Sequence, residues 1–127
     1  MDDKQVTPES QNSESALEIT RALTRAGESF MLAYPQIANI LEVSEARAKG
    51  LFAEEYLLDP SLDEWNRAIY FLRLITALET SVGKSQSDYL WLVSHNIALG
   101  DAPLNLIQTS EGLIMVVHYV ENNGNQE

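Results

Sequence analysis

The sequence predicts an all-α protein, built as a small bundle of several helices. Apolar residues recur at helical spacing through most of residues 15–122, and helix-capping patterns precede most of these segments. No segment alternates apolar and polar residues between two turns as a strand does. The segment LIMVVHYV, residues 113–120, is rich in β-branched residues, but Thr109 and Glu111 ahead of it favour a helix.

Composition limits the classes of protein that this chain can represent. With 127 residues, 45% of them hydrophobic, it can fill one compact core, and the absence of cysteine removes disulfides and thiolate chemistry. No apolar run approaches about 18 residues and no signal sequence precedes the helices, so we expect a cytoplasmic protein. The net charge of −11 disfavours non-specific binding to nucleic acid. It favours either a basic protein partner or simple solubility.

Four regions follow from the distribution of apolar residues. Residues 1–14 are polar and contain Pro8, so we expect a disordered tail. Residues 15–83 form an N-terminal helical region and residues 84–122 a second set of shorter helices. Residues 123–127 are expected to be a flexible tail.

The first helix is predicted to begin at Ser15, which forms a capping-box pattern with Glu18, and to end near Ala33. Its apolar face consists of Leu17, Ile19, Leu23, Ala26 and Phe30. A longer helix begins at another capping-box pattern, Ser61 and Glu64, and ends near Gly83. Its predicted apolar stripe consists of Leu62, Trp65, Ile69, Leu72 and either Ile75 or Thr76.

Two short helices lie between these longer ones. Pro35 opens the first and Ser44 caps the second, with a tight break at Glu42 and Val43. The positions predicted to be buried are Ile37, Ala38, Leu41, Ala48, Leu51 and Phe52. The pair resembles the helix-turn-helix of small repressors, whose second helix enters the major groove of DNA.

DNA binding through this segment would use Ser44, Arg47 and Lys49. Between residues 30 and 60, however, the sequence has only two basic residues, Arg47 and Lys49, and five acidic ones. Since a groove-binding helix needs several cationic contacts with phosphate, the segment also fits a scaffold used for packing or dimerisation.

Two short helices are predicted to meet at a fixed corner. Ser85 is predicted to cap the first of them. On that helix either Tyr89, Leu92 and Val93 or Leu90 and Trp91 point inward. Gly100 can take a positive φ, Asp101 can cap a following helix, and Pro103 suits an early helical position. Thr109 then caps the last helix. Such a corner holds polar groups at a defined angle, which suits the recognition of another surface.

No residue pattern predicts catalysis, a metal site or a cofactor. His95 and His118 are isolated in sequence, without an HExxH motif or paired carboxylates. No glycine-rich nucleotide loop and no GxSxG motif is present. Trp65 and Trp91 are interpreted as core or subunit-interface residues. We therefore expect a protein that is not an enzyme and that uses no cofactor.

The corner resembles the C-terminal toxin-binding domain of the Xre/MbcA/ParS antitoxin family. The residues that match in order and spacing are Trp91, Leu92, Asn96, Leu99, Gly100, Pro103, Leu104, Thr109, Glu111 and Gly112. The preceding helices resemble the family's helix-turn-helix portion. His95 stands where the family usually has proline, and Asp101 and Ala102 replace a second glycine and a polar residue, so this corner is more acidic.

The resemblance implies an antitoxin that binds a RES-domain toxin, an enzyme that acts on NAD, and covers its active-site cleft. It also implies a homodimer. Two alternatives are a DNA-binding transcriptional regulator and an orphan adaptor that has kept the fold but binds another protein.

The resemblance and the chemistry of the residues together divide the residues in and around the corner into two sets. The structural set is Trp91, Leu99, Gly100, Pro103, Leu104, Thr109 and Gly112. The set expected to bind the partner is Asn96, Asp101, Asn105, Gln108, Ser110, Glu111, Asn122 and Asn123.

Overall fold

The computed structural model describes residues 8–81 and 87–123, and within these ranges the chain forms seven α-helices and no strand. The all-α prediction is therefore confirmed. The helices are α1 (Pro8–Ser29), α2 (Tyr34–Leu41), α3 (Glu45–Phe52), α4 (Asp63–Ser81), α5 (Asp88–Val93), α6 (Pro103–Leu106) and α7 (Ser110–Asn123). None of them is long and apolar enough to span a membrane.

Helix α4 lies at the centre of the bundle, where it packs against α1, α2 and α7. Its fully buried side chains contact those of the neighbouring helices in one hydrophobic core. The core draws on both predicted regions and includes Leu23, Ile37, Leu51, Phe71, Leu74, Leu78, Leu92, Ile107, Leu113 and Val117. Burial of these side chains is the main source of stability.

Helix α1 begins earlier than predicted. It starts at Pro8 and not at Ser15, so residues 8–14, expected in a disordered tail, are helical. Proline suits a first helical position because its missing N–H would have no partner there, and polar residues extend a helix without needing burial. The helix ends at Ser29, before the predicted end at Ala33.

The two short helices form as predicted. Ile37, Ala38 and Leu41 of α2 are buried, and Glu42 ends that helix in the left-handed conformation, with φ 59°. The Ser44 hydroxyl accepts a hydrogen bond from the backbone N–H of Arg47 at 3.0 Å. The cap at Ser44 is thereby confirmed.

The predicted apolar stripe of α4 was right only in part, because Ile75 is buried and Trp65 is partly buried against the core. Leu62 precedes the helix and is 51% exposed, whereas the core face carries Ala68, Phe71, Leu74, Ile75 and Leu78. The predicted capping box also fails: Glu64 accepts hydrogen bonds from Arg47 and from the backbone N–H of Asp59 instead of the reciprocal bond with Ser61. Neighbours on three sides bury a wide face, including two charged residues, so the helical period alone did not identify it.

The segment that joins α4 to α5 is only partly described. Helix α4 ends at Ser81, and the predicted helix end at Gly83 and cap at Ser85 lie outside the described residues. The cap of α5 is Ser87, whose hydroxyl accepts from the N–H of Leu90 at 3.0 Å. On α5 only Leu92 is fully buried.

Candidate partner-binding surface

A compact turn at residues 96–101 forms the first part of the corner, which we define as residues 94–112. The N–H of Asn96 donates to the carbonyl of Asp101 at 3.2 Å, and the N–H of Gly100 donates to the carbonyl of Asn96 at 2.8 Å. The Asn96 side chain accepts from the N–H of Leu99 at 3.1 Å. Gly100 has φ +88°, which confirms its predicted conformation. The Asn96 side chain thus helps to build the turn.

Asp101 links this turn to α6. Its Oδ1 accepts from the N–H of Ala102 at 2.6 Å and from the side chain of Asn105 at 3.1 Å. The hydrogen bond from Asn105, and then that from Ala102, lower the pKa of Asp101 below its ordinary value. The N-cap of α6 is Ala102, one residue after the predicted cap, and Pro103 occupies the first helical position as expected.

The start of α7 approaches α6 very closely. The Thr109 hydroxyl accepts from the N–H of Gly112 at 3.1 Å, which confirms the predicted cap. A Cβ atom at Gly112 would lie 1.9 Å from the carbonyl oxygen of Leu106. Only glycine therefore fits at this position without a backbone shift.

The apolar residues of the corner attach it to the core. Pro103 is buried, and Leu99 and Leu104 are partly buried against core residues, as is Trp91 of the preceding helix α5. Ile97 is different, because 90% of its surface is exposed at the tip of the turn. Sequence reasoning missed Ile97; the available signal was an apolar residue inside a turn bounded by Asn96 and Gly100.

The outward polar groups are fewer than the sequence predicts. Asn105, Glu111 and Asn122 are exposed, and Asn123 ends α7, with its side chain outside the described part of the chain. From residue 87 to residue 122 the sequence contains no Lys or Arg, while its acidic residues are Asp88, Asp101, Glu111 and Glu121. The Lys and Arg side chains that could balance these carboxylates are therefore absent from this segment.

Gln108 and Ser110 do not project freely outward, contrary to the expectation from sequence. Gln108 accepts from the side chain of Asn39 at 2.9 Å and donates to the carbonyl of Leu104 at 3.0 Å. Ser110 accepts from Arg67 and donates to Glu42 at 3.2 Å. Both bond to residues far away in sequence, which no local pattern could reveal.

The predicted DNA contacts are engaged within the chain. Arg47 donates to both carboxylate oxygens of Glu64, at 3.2 and 2.6 Å, and to the carbonyl of Leu57 at 3.0 Å. The hydrogen bond with Glu64 raises the pKa of Arg47 further. Ser44 caps α3, and Lys49 lies 3.7 Å from Glu45. These contacts compete with any contact to phosphate.

The histidines form no metal site in the described part of the chain. His95 and His118 are both exposed, and no group of three His, Asp or Glu residues there is placed to hold a metal ion.

Residues 77–122 match the family model of the antitoxin Xre/MbcA/ParS C-terminal toxin-binding domain. The matched range covers the last residues of α4, the whole corner and α7 up to Asn122. It confirms the resemblance inferred from the sequence of the corner, since the matched residues are similar to a toxin-binding antitoxin domain. A search among curated proteins found no match.

Proposed function

We propose, from the match of residues 77–122 to a toxin-binding antitoxin domain, that this protein neutralises a RES-domain toxin by covering its active-site cleft. The observation that carries the proposal is the position of the match on the corner. There a hydrogen-bonded turn presents Ile97, and α6 and α7 present Asn105, Glu111 and Asn122.

The chemistry of this surface supports occlusion. Covering a cleft requires shape and charge complementarity but no reactive group, and the corner offers an exposed apolar side chain surrounded by acidic and amide groups. A cleft that attracts an anionic dinucleotide carries positive potential, so an acidic surface without Lys or Arg matches it.

Growth rescue tests the proposal. A RES-domain toxin would be expressed with the parent or with a variant in which the exposed Glu111 is replaced by Lys. We expect the parent to restore growth and to stop NAD consumption by the purified toxin, and the variant to protect less. Arg25→Met on α1 is the control and should protect fully.

The proposal fails if the intact protein neither binds nor inhibits such a toxin. Capture of a different protein from the native host would then support the orphan adaptor. Specific binding to the chain's own operator would support the transcriptional regulator. The homodimer and the cytoplasmic location stay predictions, of which light scattering on the purified protein tests the first.

A further inference from the structure

Arg67 is a buried cation held by groups from two other parts of the chain. It belongs to α4 and is 5% exposed. Its Nε donates to the carbonyl of Ile40 at 2.7 Å, one Nη donates to the carbonyl of Asn39 at 3.4 Å, and the other Nη donates to the Ser110 hydroxyl. A buried guanidinium is tolerated only when such acceptors satisfy it.

These acceptors lie at two helix ends that face each other. Ile40 is in the last turn of α2, where carbonyl groups lack a partner within the helix and favour a nearby positive charge. Ser110 is the first residue of α7, and its hydroxyl also donates to Glu42 at 3.2 Å in the α2–α3 turn. The hydroxyl therefore bridges a buried cation and a carboxylate.

A further side-chain hydrogen bond joins the same two regions of the chain. Asn39 of α2 donates to Gln108, just before α7, at 2.9 Å. We name the five side chains Arg67, Ser110, Glu42, Asn39 and Gln108 the latch. The latch joins the end of α2 and the α2–α3 turn to residues 108–110 of the corner.

We propose that Arg67 is a positioning residue for the partner-binding surface. Through the latch it fixes the corner, and the affinity for the partner depends on it. This inference rests on the proposed function. It divides the predicted binding residues: Asn105 and Glu111 contact the partner, whereas Gln108 and Ser110 hold the surface in place.

The corner needs such support because α6 within it and α5 just before it are both short. Helix α5 has six residues and α6 has four, and helices of this length are not stable alone. A surface that is already ordered binds more tightly, because less conformational entropy is lost on association. Loss of the latch should loosen residues 96–112 and weaken binding without removing a contact with the partner.

The experiment compares the RES toxin affinity of latch variants at a temperature far below unfolding. Ser110→Ala and Arg67→Met should each weaken binding roughly tenfold. Ser110→Thr keeps the hydroxyl and should restore binding. The matched control Arg25→Met removes an exposed arginine on α1 and should bind like the parent. If Arg67→Met does not fold, Gln108→Met replaces it.

Three outcomes are informative. Unchanged affinity in Ser110→Ala and Arg67→Met, with only a lower melting temperature, would overturn the inference in favour of a purely structural role. A loss with Ser110→Ala alone would also overturn it, since Ser110 would then contact the partner directly.

If the parent binds no toxin, the proposed function fails, and amide exchange at Leu99 and Gly112 still tests the latch. Faster exchange in Ser110→Ala supports the latch, and unchanged exchange refutes it.

Discussion

At Gly112 the restriction is steric, whereas at Gly100 it is conformational. The Cβ atom of any other residue at position 112 would overlap the carbonyl of Leu106, which belongs to the backbone and cannot rotate away. At position 100 nothing lies within 4 Å of a Cβ atom, but φ is +88°. Two glycines in one corner therefore differ in what a substitution costs.

We predict that Gly112→Ala lowers the free energy of unfolding by about 3 kcal/mol, because backbone must move to accept the methyl group. Gly100→Ala should cost only about 1 kcal/mol, the penalty of positive φ. Urea denaturation followed by circular dichroism measures both. Equal losses in the two variants would show that α6 and α7 adjust more easily than their close contact implies.

At the scale of helices, an ion pair joins α4 to the end of α7. Arg73 donates to the two carboxylate oxygens of Glu121 at 3.0 and 2.6 Å. This hydrogen bonding lowers the pKa of Glu121 below its ordinary value of 4.5. Because the folded state lowers the pKa, the pair stabilises the fold fully above about pH 4.5, and the contribution is lost as pH falls through the lowered value.

Arg73→Met should therefore lower the free energy of unfolding at pH 7 by at most about 1 kcal/mol, since the pair is partly exposed. The difference from the parent should shrink below pH 4.5 and vanish once Glu121 is protonated in both states. Urea denaturation between pH 2.5 and pH 7 measures it. In a Glu121→Gln background the effect of Arg73→Met should not depend on pH, and persistence of the pH dependence would assign it to another group.

Helix caps, turns and buried faces could be predicted from the sequence only where the residues that contact each other lie close together along the chain. The caps at Ser44 and Thr109 and the turn at Gly100 use partners within a few residues, so the sequence predicted them. The core face of α4 and the inward orientation of Ser110 depend on residues up to 68 positions away. Burial of Arg67 requires hydrogen-bond acceptors from α2 and α7, and no local pattern in the sequence indicates that these two helices come together.

For the whole molecule, the net charge of −11 governs long-range association. We predict that the association rate with the RES toxin falls roughly tenfold or more between 50 and 500 mM salt, while the dissociation rate changes little. Stopped-flow fluorescence measures both rates. A salt-independent association rate would mean that the acidic surface serves solubility and does not guide the partner.

Lys84 is the last Lys or Arg in the sequence. Reagents that react with lysine side chains therefore cannot modify the corner. Trypsin has no cleavage site between residues 85 and 127. An amine-reactive cross-linker has no lysine to react with in the corner, so the corner can be joined to a partner only when its carboxylates are activated and then attacked by amines of the partner. Lysine acetylation likewise cannot alter its charge. Mapping of a complex therefore needs acid-directed reagents or a protease that cleaves after aromatic residues.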